Sequence, residues 1–167
     1  MASRTFHFKS FSVVDGDVKV RVNLSRFDKQ FQKAQYALDG QVMNSMVPFM
    51  PMVTGQFIDV TRAASAAIQG SGGVYAGVGP QARYLYEGKV MVDSRTMKGP
   101  SKIPTGPGEY VLRFRKGSKL IATMRPLKYS NTAHPQATDH WFEPAKKKDG
   151  FKWVNMVKRI AGGGKRG

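Results

Sequence analysis

Apolar and charged residues alternate strictly along Val18-Lys19-Val20-Arg21-Val22, the period of a half-buried strand. Ahead of it Phe6 and Phe8 stand two apart. Between them and that strand, Asp15-Gly16-Asp17 supplies a turn, because Gly and Asp tolerate positive φ. The pattern predicts a hairpin over residues 5–22. The period then lengthens. Leu24, Phe27, Phe31, Ala34, Leu38, Val42 and Met46 recur at intervals of three and four, which predicts a long helix with one apolar stripe packed against the sheet. Ser25 suits its N-cap and Asp28 its first turn. Lys29, Gln30, Lys33 and Gln35 lie off the stripe, and Pro48 and Pro51 end it. Gly40 costs a helix about 1 kcal/mol relative to Ala, so a kink or a close packing contact is expected there.

The next segment is less regular. Residues 47–55 read as a loop that turns at Thr54-Gly55. Residues 57–65 suit a short helix or a strand, 70–73 a glycine turn, 74–79 a strand, and 83–88 a helical turn or another strand. Residues 93–109 are rich in Gly, Pro, Lys and Ser with no periodic core pattern. This predicts a long basic loop, an arm that orders on meeting a neighbour. Residues 110–114 and 120–124 flank Gly117 and predict a second hairpin, followed by an extended stretch to Pro135. Asp139 is placed to cap a helix carrying Trp141, Phe142 and Ala145, with Pro144 tolerable only near its start. Gly150 reads as a break. Phe151, Val154, Val157 and Ile160 mark a last helix with Trp153 beside the stripe; Lys158, Arg159 and Gly162 suit its end. The expected fold is α+β: a small mixed or antiparallel sheet packed against one long N-terminal helix, with C-terminal helices and the basic loop. Residues 1–162 form one domain and 163–167 a basic flexible tail.

Composition narrows the function. A chain of 167 residues is long enough to bury a real core. It has no apolar run long enough for a membrane span and no signal-peptide core near Met1. It contains no cysteine, which removes disulfides, thiol catalysis and cysteine metal sites and fits assembly in a reducing cytoplasm. The net charge is +16, and residues 111–167 carry 14 Lys and Arg against 3 Asp and Glu. Such a field favours nucleic acid, an acidic membrane surface or acidic protein surfaces; the bland reading is solvated faces.

Candidate chemistry is sparse. His134 and His140 lie near Asp139 and Glu143, but without metal-ligand spacing they read as a loop histidine and a helix-start histidine. Asp15 and Asp17 read as turn residues. The glycine-rich stretch 70–79 lacks the Lys-Ser/Thr of a phosphate loop, and no nucleophile elbow is present. No catalytic, cofactor or metal residue is assigned, and no enzyme activity is expected. The basic residues Arg113, Arg115, Lys116 and Lys119, with Lys146, Lys147 and Lys148, are candidates for contact with DNA or an acidic partner; backbone phosphates need only cations. The aromatics near them sit at helix-stripe spacing and suit core packing better than base stacking.

Two stretches carry a resemblance. Ala82-Arg-Tyr-Leu-Tyr-Glu-Gly-Lys-Val-Met-Val-Asp93 is one. The other begins Arg125-Pro-Leu-Lys-Tyr-Ser130 and continues through His134-Pro135, Trp141-Phe142-Glu143 and Ile160-Ala161-Gly162. In this order and spacing they resemble the minor capsid proteins of long-tailed double-stranded DNA phages. Val47-Pro48 through Thr54-Gly55 is similar to a segment of a broader group of head–tail joining and tail-completion proteins. Phe57 departs from the pattern, where related sequences carry Leu-Arg-Lys-Ser-like residues. The resemblance implies a structural virion protein of the neck. It would form a homo-oligomeric ring, a hexamer or a dodecamer, that surrounds the DNA passage between head-closure or portal-adaptor proteins and the tail terminator. No membrane partner is implied. Arg83, Tyr84, Tyr86, Arg95, Lys98, Lys102, Trp141 and Phe142 are the candidate residues of a subunit or partner interface. The alternatives are a terminator or head-closure ring of the same connector, or a free protein that binds nucleic acid without sequence preference.

Overall fold

The computed structural model describes residues 10–15 and 18–162. Its elements follow in chain order: β1 (Phe11–Asp15), β2 (Val18–Val22), α1 (Ser25–Met46), a 3-10 turn (Val47–Phe49), α2 (Gln56–Ala67), α3 (Ala82–Glu87), β3 (Lys89–Asp93), β4 (Ser101–Gly106), β5 (Glu109–Arg113), β6 (Leu120–Pro126) and α4 (Phe142–Ala161). The class is α+β, as expected. The first expected hairpin is present as β1 and β2; Phe6, Phe8 and the Gly16-Asp17 turn lie outside the described residues.

The long helix is where the periodicity put it, with two corrections. Ser25 is its first helical residue rather than its cap, and the Ser25 N–H donates to Asn23 Oδ1 at 3.0 Å. The stripe also finds a different partner. α1 packs chiefly on α4, with α2 and the 3-10 turn beside it, and not on a sheet. Ala34, Met43 and Met46 are buried, Leu38 and Val42 line the edge of the core, and Phe27 at the free end is half exposed. Gly40 marks a close contact: a Cβ there would sit 2.6 Å from Gln69 Nε2, which donates to Tyr36 O at 2.8 Å.

α4 is one helix, so Gly150 does not break it. Nor does Asp139 cap it: the N-cap is Trp141, without a side-chain cap. Its buried side is Ala145 and Trp153, the latter donating from Nε1 to Ser45 Oγ of α1 at 3.1 Å. Phe142 stacks near Trp153, with centroids 6.2 Å apart. The expected stripe is therefore out of phase: Phe151 is 78% and Val154 52% exposed. A regular period reports an amphipathic face but not which surface of the fold that face meets.

Two strand assignments change. The six strands among the described residues form three separate two-stranded antiparallel pairs, β1–β2, β3–β6 and β4–β5. The expected basic loop contains a strand, β4, and β5 pairs with it instead of with β6. β6 pairs with β3, with Val92 opposite Ile121 and Asp93 opposite Leu120. β4 escapes a pattern search because nearly all of it is exposed, so no alternation is required; Pro104 is acceptable in it because an edge strand has a free N–H side. Residues 74–79 form no strand. Their backbone is satisfied by side chains instead: Tyr75 N–H donates to Ser65 Oγ, Val78 N–H donates to Thr61 Oγ1, and Ala76 O accepts from Trp141. Residues 56–67 and 82–87 resolve to helix.

The misphased stripe has a measurable consequence. Trp153→Ala should lower unfolding free energy by about 3–5 kcal/mol, whereas Phe151→Ala should change it by no more than about 0.5 kcal/mol. Only Lys146 Cγ, at 3.8 Å, would meet a Cβ on Gly150, so Gly150→Ala should raise stability by about 0.5–1 kcal/mol. Urea melts of the three variants check all three signs.

Candidate assembly surfaces

The two sequence stretches that carry the resemblance interlock. Gly88 O accepts from Leu127 N at 2.7 Å, and Tyr86 O accepts from His140 N at 2.8 Å. The Tyr129 hydroxyl donates to Leu85 O; burial there, with Asp139 nearby, pushes its pKa up to about 12. Tyr86 meets Trp141 edge-on at 4.9 Å and His140 at 5.1 Å. Trp141 is fully buried and completes the knot through Phe57 at 6.0 Å and its Nε1 bond to Ala76 O at 2.8 Å. This corrects the expectation for Trp141: it serves the core of its own chain and offers nothing to a neighbour. Gly88 is required by geometry. It closes α3 at φ +65°, and a Cβ would sit 2.9 Å from Asp139 Cβ.

A second set of contacts sets the root of the β4–β5 ribbon. Asp93, at the end of β3, is buried. Its Oδ1 accepts from the Arg95 N–H at 2.8 Å, and its Oδ2 accepts from the Ser118 hydroxyl at 2.6 Å. Ser94 N donates to Lys119 O at 2.8 Å. One carboxylate thereby ties the turn after β3 to the turn before β6. The Ser118 hydroxyl, then the Arg95 N–H, hold its pKa below the usual carboxylate range. The basic residues Arg115, Lys116 and Lys119 are displayed from this tied turn, exposed, with Arg113 exposed at the end of β5. Arg95 and Lys98 are exposed on the other side of the clasp. Lys102 stands over the Tyr110 ring at 4.6 Å.

Lys146, Lys147 and Lys148 are exposed on α4. That helix packs on α1 and the 3-10 turn, while β5 pairs with β4, so the two basic groups belong to separate parts of the molecule. Arg83 is exposed and pairs with Glu87 at 2.9 Å; Tyr84 is half-buried and donates to Leu120 O at 3.1 Å. His134 Nδ1 lies 2.8 Å from Met50 O, in a structural contact. Among the described residues, no group of three or more His, Asp or Glu could hold a metal.

Two surfaces escaped the sequence reading. One is the β1–β2 ribbon. Its register puts Phe11 opposite Val22 and Val13 opposite Val20 on one face, with Ser12 opposite Arg21 and Val14 opposite Lys19 on the other. Phe11, Val13 and Val20 are all about half exposed. The other is a groove of about 730 Å³ between α1 and α4, with Leu38 and Val42 on one wall and Phe142, Phe151 and Val154 on the other. Its signal was present as the apolar spacing of Phe151 and Val154, read as core.

Asp93 and Gly88 make the sharpest tests. Because the folded pKa of Asp93 is lowered, its contribution is full above the unfolded value of about 3.9 and is lost as pH falls through the folded value. The stability gap between wild type and Asp93→Asn should therefore shrink as pH is lowered from about 5 to about 2, in urea melts at each pH. Gly88→Ala should cost about 1–3 kcal/mol, read the same way. No family model, curated protein or solved structure matches this chain.

Proposed function

We propose that this chain is a structural assembly protein that works by docking to copies of itself and to neighbouring rings. In the setting implied by its resemblance, this is the neck of a long-tailed phage. The observation that carries the reading is the pair of ribbons. Among the described residues, β1–β2 and β4–β5 each pair only within themselves, and neither packs substantially on another element. A lone two-stranded hairpin is marginal in water. An amphipathic ribbon with Phe11, Val13 and Val20 uncovered gains stability when a neighbour covers that face. The contact joins unlike surfaces of successive copies, a heterologous interface that closes into a ring when the rotation permits.

In this reading the ring, a hexamer or dodecamer, joins the DNA-filled head to the tail and surrounds the DNA passage. Arg113, Arg115, Lys116 and Lys119 face the DNA or an acidic partner ring. The candidate subunit or partner interface keeps Arg83, Arg95, Lys98, Lys102 and Phe142, with Tyr84 and Tyr86 contributing their exposed edges; Trp141 is removed. The chain performs no catalysis and takes no cofactor. It is assembled in the host cytoplasm and resides in the virion neck. A second reading, non-specific binding of nucleic acid, is favoured by the tied, exposed basic turn at 115–119. It predicts duplex affinity falling steeply with salt.

Electron microscopy of purified protein mixed with isolated tails and DNA-filled heads tests the proposal. Rings seated at the tail end or head vertex are expected, and Val20→Asp should abolish them while leaving the far-UV spectrum unchanged. Persistent monomers that bind neither particle would overturn it. If the same monomers coat duplex DNA at low salt, the second reading takes its place.

A further inference from the structure

The α1–α4 groove is distinct from the ribbons, and its construction says what would fill it. Its floor is apolar: Leu38 and Val42 from α1 face Phe142, Phe151, Val154 and Val157 from α4. Phe151 is the most exposed large apolar side chain on α4. Lysines stand at both ends, Lys146 and Lys158, separated along α4 by about 18 Å at 1.5 Å per residue. Lys158 has no ion-pair partner among the described residues, whereas Lys152 is neutralised by Asp149 at 2.7 Å. Gly150 lies between the two end lysines and lines the groove. It weakens the helix, and within the chain only Lys146 Cγ approaches the place of its Cβ. Among the described residues no close contact requires a glycine there; an incoming backbone that must approach closely does.

The occupant is constrained further. Both walls are helices whose backbone groups are already bonded internally, so they can satisfy no strand edge. A segment lying between them must satisfy its own backbone, which a helix does. It must be apolar on one stripe to cover the floor and acidic beside it to meet the end lysines. Among the described residues there is no such helix. α1 shows Arg26, Lys29 and Lys33 on its surface, α4 is itself basic, and α2 carries Asp59 balanced by Arg62. We infer that the groove is a docking site for an acidic amphipathic helix of about three turns from a different protein, held by apolar burial between α1 and α4 and by Lys146 and Lys158. In the assembly reading this is a contact to a neighbouring ring. It uses a face separate from the ribbons, so its failure leaves self-assembly untouched, and the reverse also holds.

The test uses the full chain and three fluorescein-labelled peptides of about four helical turns. Each carries leucine at i, i+3, i+4 and i+7, with Glu, Gln or Lys elsewhere. Fluorescence anisotropy should show the Glu peptide binding at least tenfold tighter than the Gln peptide, and no binding of the Lys peptide. Phe151→Glu, at a site that leaves the core intact, should weaken the Glu peptide at least tenfold. Lys158→Glu should weaken it several-fold and flatten its salt dependence. Gly150→Ala should raise the thermal midpoint of the free protein yet weaken the peptide several-fold, a split that a purely structural glycine would not give. Absence of Glu-peptide binding, equal binding of all three peptides, or indifference to Phe151→Glu would overturn the inference. So would retention on anionic phospholipid vesicles that Phe151→Glu abolishes, which would make the face a membrane contact. Dissociation of a homo-oligomer by Phe151→Glu would make the occupant a second copy and overturn it equally.

Discussion

Trp141 is the side chain on which the remaining arrangement depends. Its ring is fully buried, and its one polar atom, Nε1, donates to Ala76 O. Phe57 from α2 and Tyr86 from α3 meet it edge-on, and it begins α4. Four pieces of chain far apart in sequence are thus referred to one indole. A buried Trp without its N–H partner would leave a donor desolvated, at about 1–3 kcal/mol. The irregular segment at 74–79 is therefore held in place by a hydrogen-bond requirement, not by a sheet. From that knot α4 runs back along α1, and Trp153 repeats the same device further along that helix, with Ser45 as its acceptor.

The body and the ribbons obey different rules. The body has helices with buried stripes, and its irregular backbone is met by side chains such as Ser65 and Thr61 of α2, Asp39 of α1 and Trp141. Among the described residues, the two ribbons pack on little beyond their own ladders. Asp93 joins the two regimes: it ends β3, which belongs to the body, and its carboxylate sets the turns from which β4, β5 and the basic residues emerge. A ribbon tied rigidly at its root and uncovered along its length suits reaching a neighbour, because little orientational freedom remains to be lost on contact.

The charge has a matching distribution. The chain carries +16, yet the ion pairs among the described residues are few and their cations are exposed, and such pairs contribute little. Most of the positive field is therefore turned outward. Two of its concentrations are the turn at 115–119 and α4, regions that do not pack together. One part carries charge on a hydrogen-bonded turn with few apolar neighbours, suited to a flexible or purely ionic partner. The other places charge around an apolar groove, suited to a partner with shape.

The amino-acid sequence by itself determined the class and much of the body. The intervals of three and four in α1, the alternation in β2, the terminating prolines and the dense basic C-terminal third are local signals, and each holds in the fold. It also singled out residues 82–93 and 125–143, although it could not say that they clasp each other. Only the tertiary structure decided which strand pairs with which, that α4 runs unbroken through Gly150, that Trp153 and not Phe151 is core, and that Trp141 faces inward. The reason is the same in each case. Periodicity reports that a face is apolar, but whether that face meets its own chain or remains outside depends on the sum of distant contacts. Strands such as β4 that bury nothing leave no period to read.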